Sequence, residues 1–211
     1  MDLLCKLADV KTLLGITDTT QDDKLNLMIK SASAKIEAYI GYSLGMGTYS
    51  DEMHAVNDRQ LLQLNHFPLR SVTSVTRNGE PIDDYKIFPE YARWGRLYRG
   101  NGWGGEMYTR GFTYDVVSGV WEYSVSYTAG YLLPNDTGYV EGADNSLPYD
   151  IVAVCMEFVV LKYNYDAMGA TGLKSHSEGH ISESYGDDSS DVGLSESARK
   201  ALDKYIFYGV A

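Results

Sequence analysis

Residues 121–127 read Trp-Glu-Tyr-Ser-Val-Ser-Tyr, a stretch in which large apolar residues alternate with polar ones. Successive side chains of a β-strand point to opposite faces of its sheet. The alternation therefore places Trp121, Tyr123, Val125 and Tyr127 on one face, and it predicts a strand that ends at Gly130.

Weaker β patterns extend from this strand back to about Met53. Residues 71–77 are rich in Val, Ser and Thr, and the Asn78-Gly79 pair that follows them favours a type I′ turn. We therefore expect a hairpin that returns through Pro81-Ile82. Other short strands are expected at 52–56, 60–64, 85–88 and 96–98.

Residues 100–105, Gly-Asn-Gly-Trp-Gly-Gly, are expected to form the flexible tip of a hairpin, because so many glycines make a regular element entropically costly. The run lacks the Lys-Ser/Thr pair and the dinucleotide spacing of phosphate-binding loops. The sequence leaves two roles open for Trp103 in this tip. It could contact another molecule, or it could pack onto its own module.

Both ends of the chain carry helical patterns instead. A short helix is expected to end at Gly15, and Thr20 is expected to cap a second helix that ends at Gly41. The apolar residues of the second helix recur at spacings of three and four and form one stripe: Leu25, Met28, Ile29, Ala32, Ile36, Tyr39 and Ile40.

The C-terminal part begins with a long helix after Pro148, which suits a first helical turn. Its expected buried stripe comprises Ile151, Val154, Cys155, Phe158, Val159 and Lys162. Residues 174–191 are rich in Ser, Gly and acids and predict a loop, and Ser195 is expected to cap the last helix.

These patterns together predict an α+β protein. Three to four helices, from residues 1–45 and 146–211, are expected to pack into a helical core. An antiparallel β module, residues 50–135, is inserted between the long helices. The chain of 211 residues is long enough for one large domain or two small ones.

The formal net charge of −11 argues against a surface that grips nucleic-acid phosphates, but not against a protein that DNA passes. Cys5 and Cys155 are expected to be reduced thiols, with Cys155 a small buried hydrophobe. The sequence shows neither a signal peptide nor an apolar run long enough for a membrane span, so we expect a soluble, intracellular protein.

No pattern in the chain predicts catalysis, a cofactor or a metal. His176 and His180 have a spacing that suits metal ligands on a helix, but their Ser and Gly neighbours favour a solvated loop. Paired acids such as Asp83-Asp84 fit turns and caps better than acid–base chemistry, and a Gly-x-Ser-x-Gly elbow is missing. The many Tyr residues of the middle block favour sheet core over stacking on sugars or bases.

Several segments, in order, resemble the head–tail connector (adaptor, or head completion) proteins of tailed phages, in particular the longer members. They are residues 10–16, the Asp22-Asp23 pair, 36–41, 67–75 with Asn78-Gly79, 127–131, 147–151 and 177–179. Each motif alone is weak, and the specificity comes from their order and spacing over most of the chain.

The resemblance implies a structural virion protein that is assembled in the host cytoplasm and placed at the head–tail interface. Family members form a ring, usually of twelve copies, that binds the portal protein, extends the DNA channel and supports a stopper or tail-completion protein. The C-terminal segment of several members docks on the portal. Carried over to this chain, that segment is 202–211, with Tyr205, Phe207 and Tyr208 as interface residues beside Trp103.

Three alternatives stay open at this point. The first is another component of the head–tail interface, such as a stopper or tail terminator, which would be mainly β. The second is a carbohydrate-binding module that uses Trp94, Trp103 and Tyr side chains of the β insertion. The third is a hydrolase without a recognised motif.

Overall fold

A computed structural model describes residues 3–56, 60–104, 121–167, 175–178, 181–184 and 194–207. Within these ranges the helices are α1 (Leu7–Leu14), α2 (Asp22–Ile40), α3 (Pro89–Ala92), α4 (Tyr149–Ala167) and α5 (Glu196–Leu202), and a short 3-10 turn at Asp203–Tyr205 follows α5. The strands are β1 (Gly47–Val56), β2 (Leu61–Gln63), β3 (Leu69–Arg77), β4 (Glu80–Pro81), β5 (Tyr85–Lys86), β6 (Arg96–Arg99), β7 (Trp121–Ala129), β8 (Ser175–Glu178) and β9 (Ile181–Ser184). The predicted α+β class is confirmed.

Contacts within the chain divide it into two compact units. The helical unit contains Met1–Tyr42 and Leu132–Ala211, so it is built from both ends of the chain. The β unit is the stretch between them, Ser43–Tyr131. The predicted domains, 1–45 with 146–211 and 50–135, stay a prediction.

Helix α4 of the helical unit is contacted by α1, α2 and α5. The sequence predicted one buried stripe, but in its first half Ile151, Val152, Val154, Cys155 and Met156 are all buried. A helix with neighbours on several sides needs apolar residues around most of its circumference, which explains the difference. Val159 of the predicted stripe is buried, whereas Phe158 and Lys162 are only partly buried.

The helix ends follow the expected chemistry in most places. Gly15 and Gly41 have left-handed backbones, with φ of 67° and 86°, and end α1 and α2 as predicted. The hydroxyl of Ser195 accepts a hydrogen bond from Ala198 N at 3.1 Å, so it caps α5 as predicted. The predicted Thr20 cap of α2 is wrong. Gln21 occupies that position without a capping bond, and Thr20 instead donates to the Asp18 carboxylate.

The β unit contains two antiparallel sheets. One has the strand order β1-β7-β3-β4, and the other has the order β2-β6-β5. The predicted alternation of β7 is confirmed at Tyr123, Val125 and Tyr127, whose side chains are fully buried. The core of the unit consists of Leu62, Leu64, Leu69, Val75, Leu97, Trp103, Tyr123, Val125, Tyr127 and Ala129.

A β-bulge in β1 determines which side chains face this core. Tyr49 pairs with Tyr127, and Glu52 pairs with Val125, so β1 has one more residue than β7 between these pairs. The bulge residue Asp51 has a φ of 52°. Paired residues share a face of the sheet, so Tyr49 and Glu52 both lie on the side of the buried Tyr127 and Val125.

The predicted hairpin after β3 is confirmed. Asn78 and Gly79 have φ values of 53° and 85°, as a type I′ turn requires, and β4 pairs with the end of β3. No helix was expected from the sequence between β5 and β6. The structure has α3 there, with Pro89 as its first residue, where a missing N–H costs nothing.

The predicted loop at 174–191 is wrong in part, because β8 and β9 pair as an antiparallel hairpin within it. Their register places Glu178 opposite Ile181, and Gly179 and His180 stand between these two residues in the sequence. A two-residue connection that contains Gly is a hairpin signal. The signal was missed because the flanking residues are polar and lack an apolar alternation. Gly179, His180 and residues 185–191 lie outside the described residues.

Gly130 ends β7 at a position that only glycine can occupy. Its φ is 101°, and a Cβ atom there would lie 2.3 Å from the carbonyl oxygen of Gly45. Its own N–H donates to Pro68 O at 2.9 Å, and Arg70 Nε donates to its carbonyl at 2.7 Å. The backbone is therefore held on both sides and cannot move to relieve the clash.

We predict that Gly130→Ala destabilises the β unit by more than about 3 kcal/mol, since it combines an unfavourable φ with a backbone clash. Gly79→Ala is the matched control. Its φ is similarly positive at 85°, but a Cβ there meets no atom within 4 Å, so only about 1 kcal/mol is expected. All three Trp residues lie between 43 and 131, so urea unfolding followed by tryptophan fluorescence reports on this unit. Equal losses for the two variants would contradict the prediction.

Candidate partner-binding surfaces

The C-terminal segment is held against the start of α4 by side-chain contacts within the helical unit. Tyr205 donates a hydrogen bond from its hydroxyl to Asp150 Oδ1 at 2.7 Å, and Lys204 forms an ion pair with the other Asp150 oxygen. Tyr39, near the end of α2, donates to Asp203 Oδ1 at 2.6 Å. We call these five residues the C-terminal anchor. They fix the direction in which the chain continues after residue 205.

The electrostatics of the anchor favour an ionised Asp150. Partial burial alone would raise the pKa of this carboxyl, but the hydrogen bonds from Lys204 and Tyr205 outweigh burial and lower the pKa below its usual value. The charged carboxylate is the form that accepts both bonds. The anchor is therefore made at neutral pH.

The sequence predicted Tyr205, Phe207 and Tyr208 as partner contacts. The ring of Tyr205 is buried within the helical unit, so its observed role is to hold the segment in place. Phe207 is partly buried, and Tyr208 lies outside the described residues. Tyr149, which adjoins Asp150 on α4, leaves about half of its side chain (55%) exposed. An exposed aromatic thus begins α4 at the point where the C-terminal segment is anchored.

The sequence allows two roles for Trp103, a contact with another molecule or packing within its own module, and the structure shows packing. Its indole is fully buried, and Nε1 donates to Gln60 O at 3.1 Å and to Leu97 O at 3.2 Å. The ring meets Tyr123 edge to face at 5.1 Å between centroids. The predicted hairpin tip is described only as far as Gly104, with Gly105 outside the described residues. The prediction that Trp103 forms a surface contact with a partner is therefore wrong for this structure.

The carbohydrate-binding alternative needs an aromatic ring that is open to a sugar. Trp103 is buried, and the guanidinium of Arg93 covers the ring of Trp94 at 5.1 Å from its centroid. Phe67 contacts Trp94 as well, with 6.1 Å between ring centroids. Trp94 and Trp103, on which the carbohydrate-binding alternative depended, therefore do not support it.

A cluster of ionisable side chains inside the β unit was missed by the sequence reasoning. The Glu52 carboxylate accepts a hydrogen bond from the Tyr127 hydroxyl at 2.7 Å. His54 Nε2 lies 2.7 Å from the same oxygen but is not aligned for a hydrogen bond, and His66 Nε2 lies 3.6 Å from the other oxygen. The Tyr49 ring stacks on the His66 ring, with 3.7 Å between the two ring centroids. We call Glu52, His54, His66 and Tyr127 the Glu52 cluster.

Burial controls the protonation of this cluster. It lowers the pKa of His54 below its ordinary value of 6.5, and the Glu52 carboxylate offsets this only in part. Burial also raises the pKa of Tyr127, and the hydrogen bond to Glu52 adds to this shift. The favoured state is thus a neutral imidazole at His54 and a neutral phenol at Tyr127.

This arrangement suits a structural network. Among the residues that the structure describes, no group of three or more His, Cys, Asp and Glu side chains is placed to hold a metal ion. Over the same ranges, no helix is both long and apolar enough to cross a membrane. His176 lies in β8, while His180 falls outside the described residues, so the spacing noted in the sequence yields no described site.

Comparison with known proteins resolves the family. Residues 3–137, more than half of the chain, match the model of the head completion protein family. The chain belongs to this family. The resemblance noted in the sequence is confirmed, and so is the prediction of a structural protein rather than an enzyme. A search of curated protein sequences found no match.

One solved structure is similar to this chain at the level of the fold. One similar chain is described as the neck of an empty gene transfer agent (GTA) particle computed with C6 symmetry. The two chains share 14% identity and a TM-score of 0.50, over 99% of this chain and 92% of that one. A second, from the virion of a native GTA particle, has a TM-score of 0.49 at 14% identity, over 99% and 92% of the two chains.

We predict that Asp150→Asn and Tyr205→Phe each destabilise the helical unit by about 1–3 kcal/mol, because each removes a partner from a partly buried, charge-assisted hydrogen bond. Lys200→Ala is the matched control. It breaks the Lys200–Glu196 ion pair, whose side chains are both more than 70% exposed, so little change is expected. Urea unfolding followed by circular dichroism at 222 nm measures the difference. A loss for Lys200→Ala as large as that for Tyr205→Phe would contradict the anchor.

We also predict that the β unit loses stability on acidification. Because the pKa of His54 is lower in the folded state, its imidazole binds more protons when the protein is unfolded. The contribution of His54 to the stability of the fold is therefore complete above about pH 6.5 and falls as the pH drops below that value. Tryptophan fluorescence during urea unfolding, from pH 8 to pH 5, measures the slope. His54→Gln should reduce the slope, while His66→Gln, at the more exposed imidazole, is the control that should retain it. An unchanged slope in His54→Gln would contradict the assignment.

Proposed function

We propose that this head completion protein is a subunit of a ring-shaped head–tail connector. Its C-terminal segment binds the portal protein, and the ring extends the DNA channel toward the tail and carries a stopper or tail-completion protein. The observation that supports this most is the match of residues 3–137 to the head completion family. A ring of about twelve copies is the stoichiometry that we propose in the particle.

The likeness of fold supports an assembly of this kind. The similar GTA chain comes from a neck that was computed with C6 symmetry, and twelve copies are compatible with that symmetry. A closed ring requires a head-to-tail contact between neighbouring copies, which uses two different surfaces of one subunit. The helical unit has exposed apolar side chains on more than one helix that are available for such contacts, among them Leu13, Leu27 and Leu161.

The C-terminal anchor supports the proposed portal contact. Because Asp150, Lys204 and Tyr205 hold the chain as far as residue 205, the remaining residues start from a fixed point. A short segment with a fixed origin loses less conformational entropy on binding than a free tail of the same length. Phe207 and the exposed Tyr149 supply aromatic side chains near that origin, and Tyr208 follows Phe207 in the sequence. Aromatic residues are frequent interface anchors.

The charge of the chain supports passage of DNA without specific binding. Twelve copies at −11 each would carry on the order of −130, which repels phosphates over about a Debye length. DNA in such a channel would slide instead of adhering. A reconstructed ring with a basic lumen and outward-facing acids would contradict this part of the proposal.

We predict that the double substitution Phe207→Ala with Tyr208→Ala weakens binding to the portal protein of the same genome by at least about tenfold, since hot-spot aromatics each contribute 1.4 kcal/mol or more. The substitutions leave the five anchor residues unchanged, and thermal unfolding checks that the double variant is still folded. Biolayer interferometry on immobilised portal measures the affinity. Val140→Ala, at a residue that is 63% exposed, is the control for loss of one exposed apolar residue and should keep the wild-type affinity.

Two results separate the parts of the proposal. Wild-type affinity in the double variant would contradict the role of the C-terminal segment while leaving the connector role standing. Failure of the wild-type protein to bind the portal or any other head or tail component would contradict the connector role itself.

A further inference from the structure

Two cysteines that are far apart in sequence meet inside the helical unit. Cys155 lies in the middle of α4, and Cys5 lies in the segment before α1. Their Sγ atoms are 3.5 Å apart although 150 residues separate them. Both side chains are fully buried, and both are free thiols. Their pairing could not be predicted from the sequence.

Hydrogen bonds on both sides of Cys5 hold it in this position. Leu4 N donates to the Ser33 hydroxyl on α2 at 3.0 Å, and that hydroxyl donates to Ile29 O at 2.8 Å. Asn135 Nδ2 donates to the carbonyl of Cys5 at 3.4 Å. The Ser33 oxygen is also 3.9 Å from Cys155 Sγ. The contact between the sulfur atoms is therefore a product of the packed backbone and not of a free chain end.

We propose that Cys5 and Cys155 form an intramolecular disulfide when the protein meets an oxidising environment. A disulfide S–S bond is about 2.0 Å long, so the sulfur atoms must approach by about 1.5 Å. Cys5 lies outside any helix, and small rotations of its side chain and backbone can supply this movement. The crosslink would tie the N-terminal segment to the middle of α4.

The oxidant in this proposal is a low-molecular-weight disulfide. One protein thiol loses its proton and attacks that disulfide, which releases one small thiol and leaves a mixed disulfide. The second protein thiol loses its proton and attacks the protein sulfur of the mixed disulfide, which releases the second small thiol. Two protein S–H bonds are thus replaced by one S–S bond, and the small disulfide is reduced to two thiols.

Burial makes the first step slow. Contact with Cys155 and burial both raise the pKa of the Cys5 thiol, because a thiolate there would be unsolvated and would face the second sulfur. The reduced pair should therefore persist during synthesis in a reducing cytoplasm. If the protein is a particle component, as proposed above, release of the particle supplies the oxidising conditions. The thiol chemistry itself does not depend on that function.

The test uses the full-length purified protein. It is incubated for a day with excess oxidised glutathione, denatured in the presence of an alkylating reagent, and weighed by intact mass spectrometry without reductant. We expect the wild type to lose two hydrogen masses, to take up no alkyl groups, and to yield a Cys5–Cys155 crosslinked peptide on digestion. The crosslink closes a loop of 150 residues, so the oxidised form should unfold at a temperature higher by roughly 5–15 °C.

Cys5→Ala and Cys155→Ala are the matched controls. Each should keep its single thiol alkylatable and show no rise in unfolding temperature. The proposal would be overturned if both wild-type thiols remained alkylatable, if the product were a mixed disulfide with glutathione, or if it were a crosslink between two chains. It would also be overturned if the oxidised form unfolded at the same or a lower temperature than the reduced form.

Discussion

The helical unit depends on the burial of α4. Its first half is apolar around most of its circumference, and burying each Val, Ile or Met side chain contributes about 1.5–3 kcal/mol. Covering such a helix takes several neighbours, which are α1 and α2 from the N-terminal part of the chain and α5 from the C-terminal part. One burial requirement thus brings both ends of the chain into one unit. The described residues within Ser43–Tyr131 form a core of their own.

The same requirement places the groups on which the functional argument rests. Because α5 packs on α4, the 3-10 turn that follows α5 reaches Asp150, and the anchor forms there. Because the segment before α1 is held by Ser33 and Asn135, Cys5 reaches Cys155. Neither contact is local in sequence. Both follow from covering one helix with elements from opposite ends of the chain.

Much of the fold could be predicted from local patterns, and the failures have local causes. The alternation of apolar and polar residues predicted β7, and the Asn78-Gly79 pair predicted a type I′ hairpin. Apolar residues at spacings of three and four predicted the buried face of α2. The prediction for Trp103 failed as a surface contact because glycine content shows where a chain can turn, but not whether the side chain between the glycines is buried. The Glu52 cluster could not be foreseen, since one extra residue in β1 decides which face Glu52 takes.

The family assignment and the physical reading agree on a structural protein whose properties come from packing and surfaces. The order of the sequence motifs indicated the family, whereas the C-terminal anchor and the pair of Cys5 and Cys155 could be recognised only in the structure. The measurement that tests the connector account most directly is a cryo-EM reconstruction of the particle encoded by the same genome. The account predicts a ring of about twelve copies between portal and tail around the DNA path, with the C-terminal residues on the portal. A complete head–tail junction that lacks this chain, or holds it in a different position, would contradict the account.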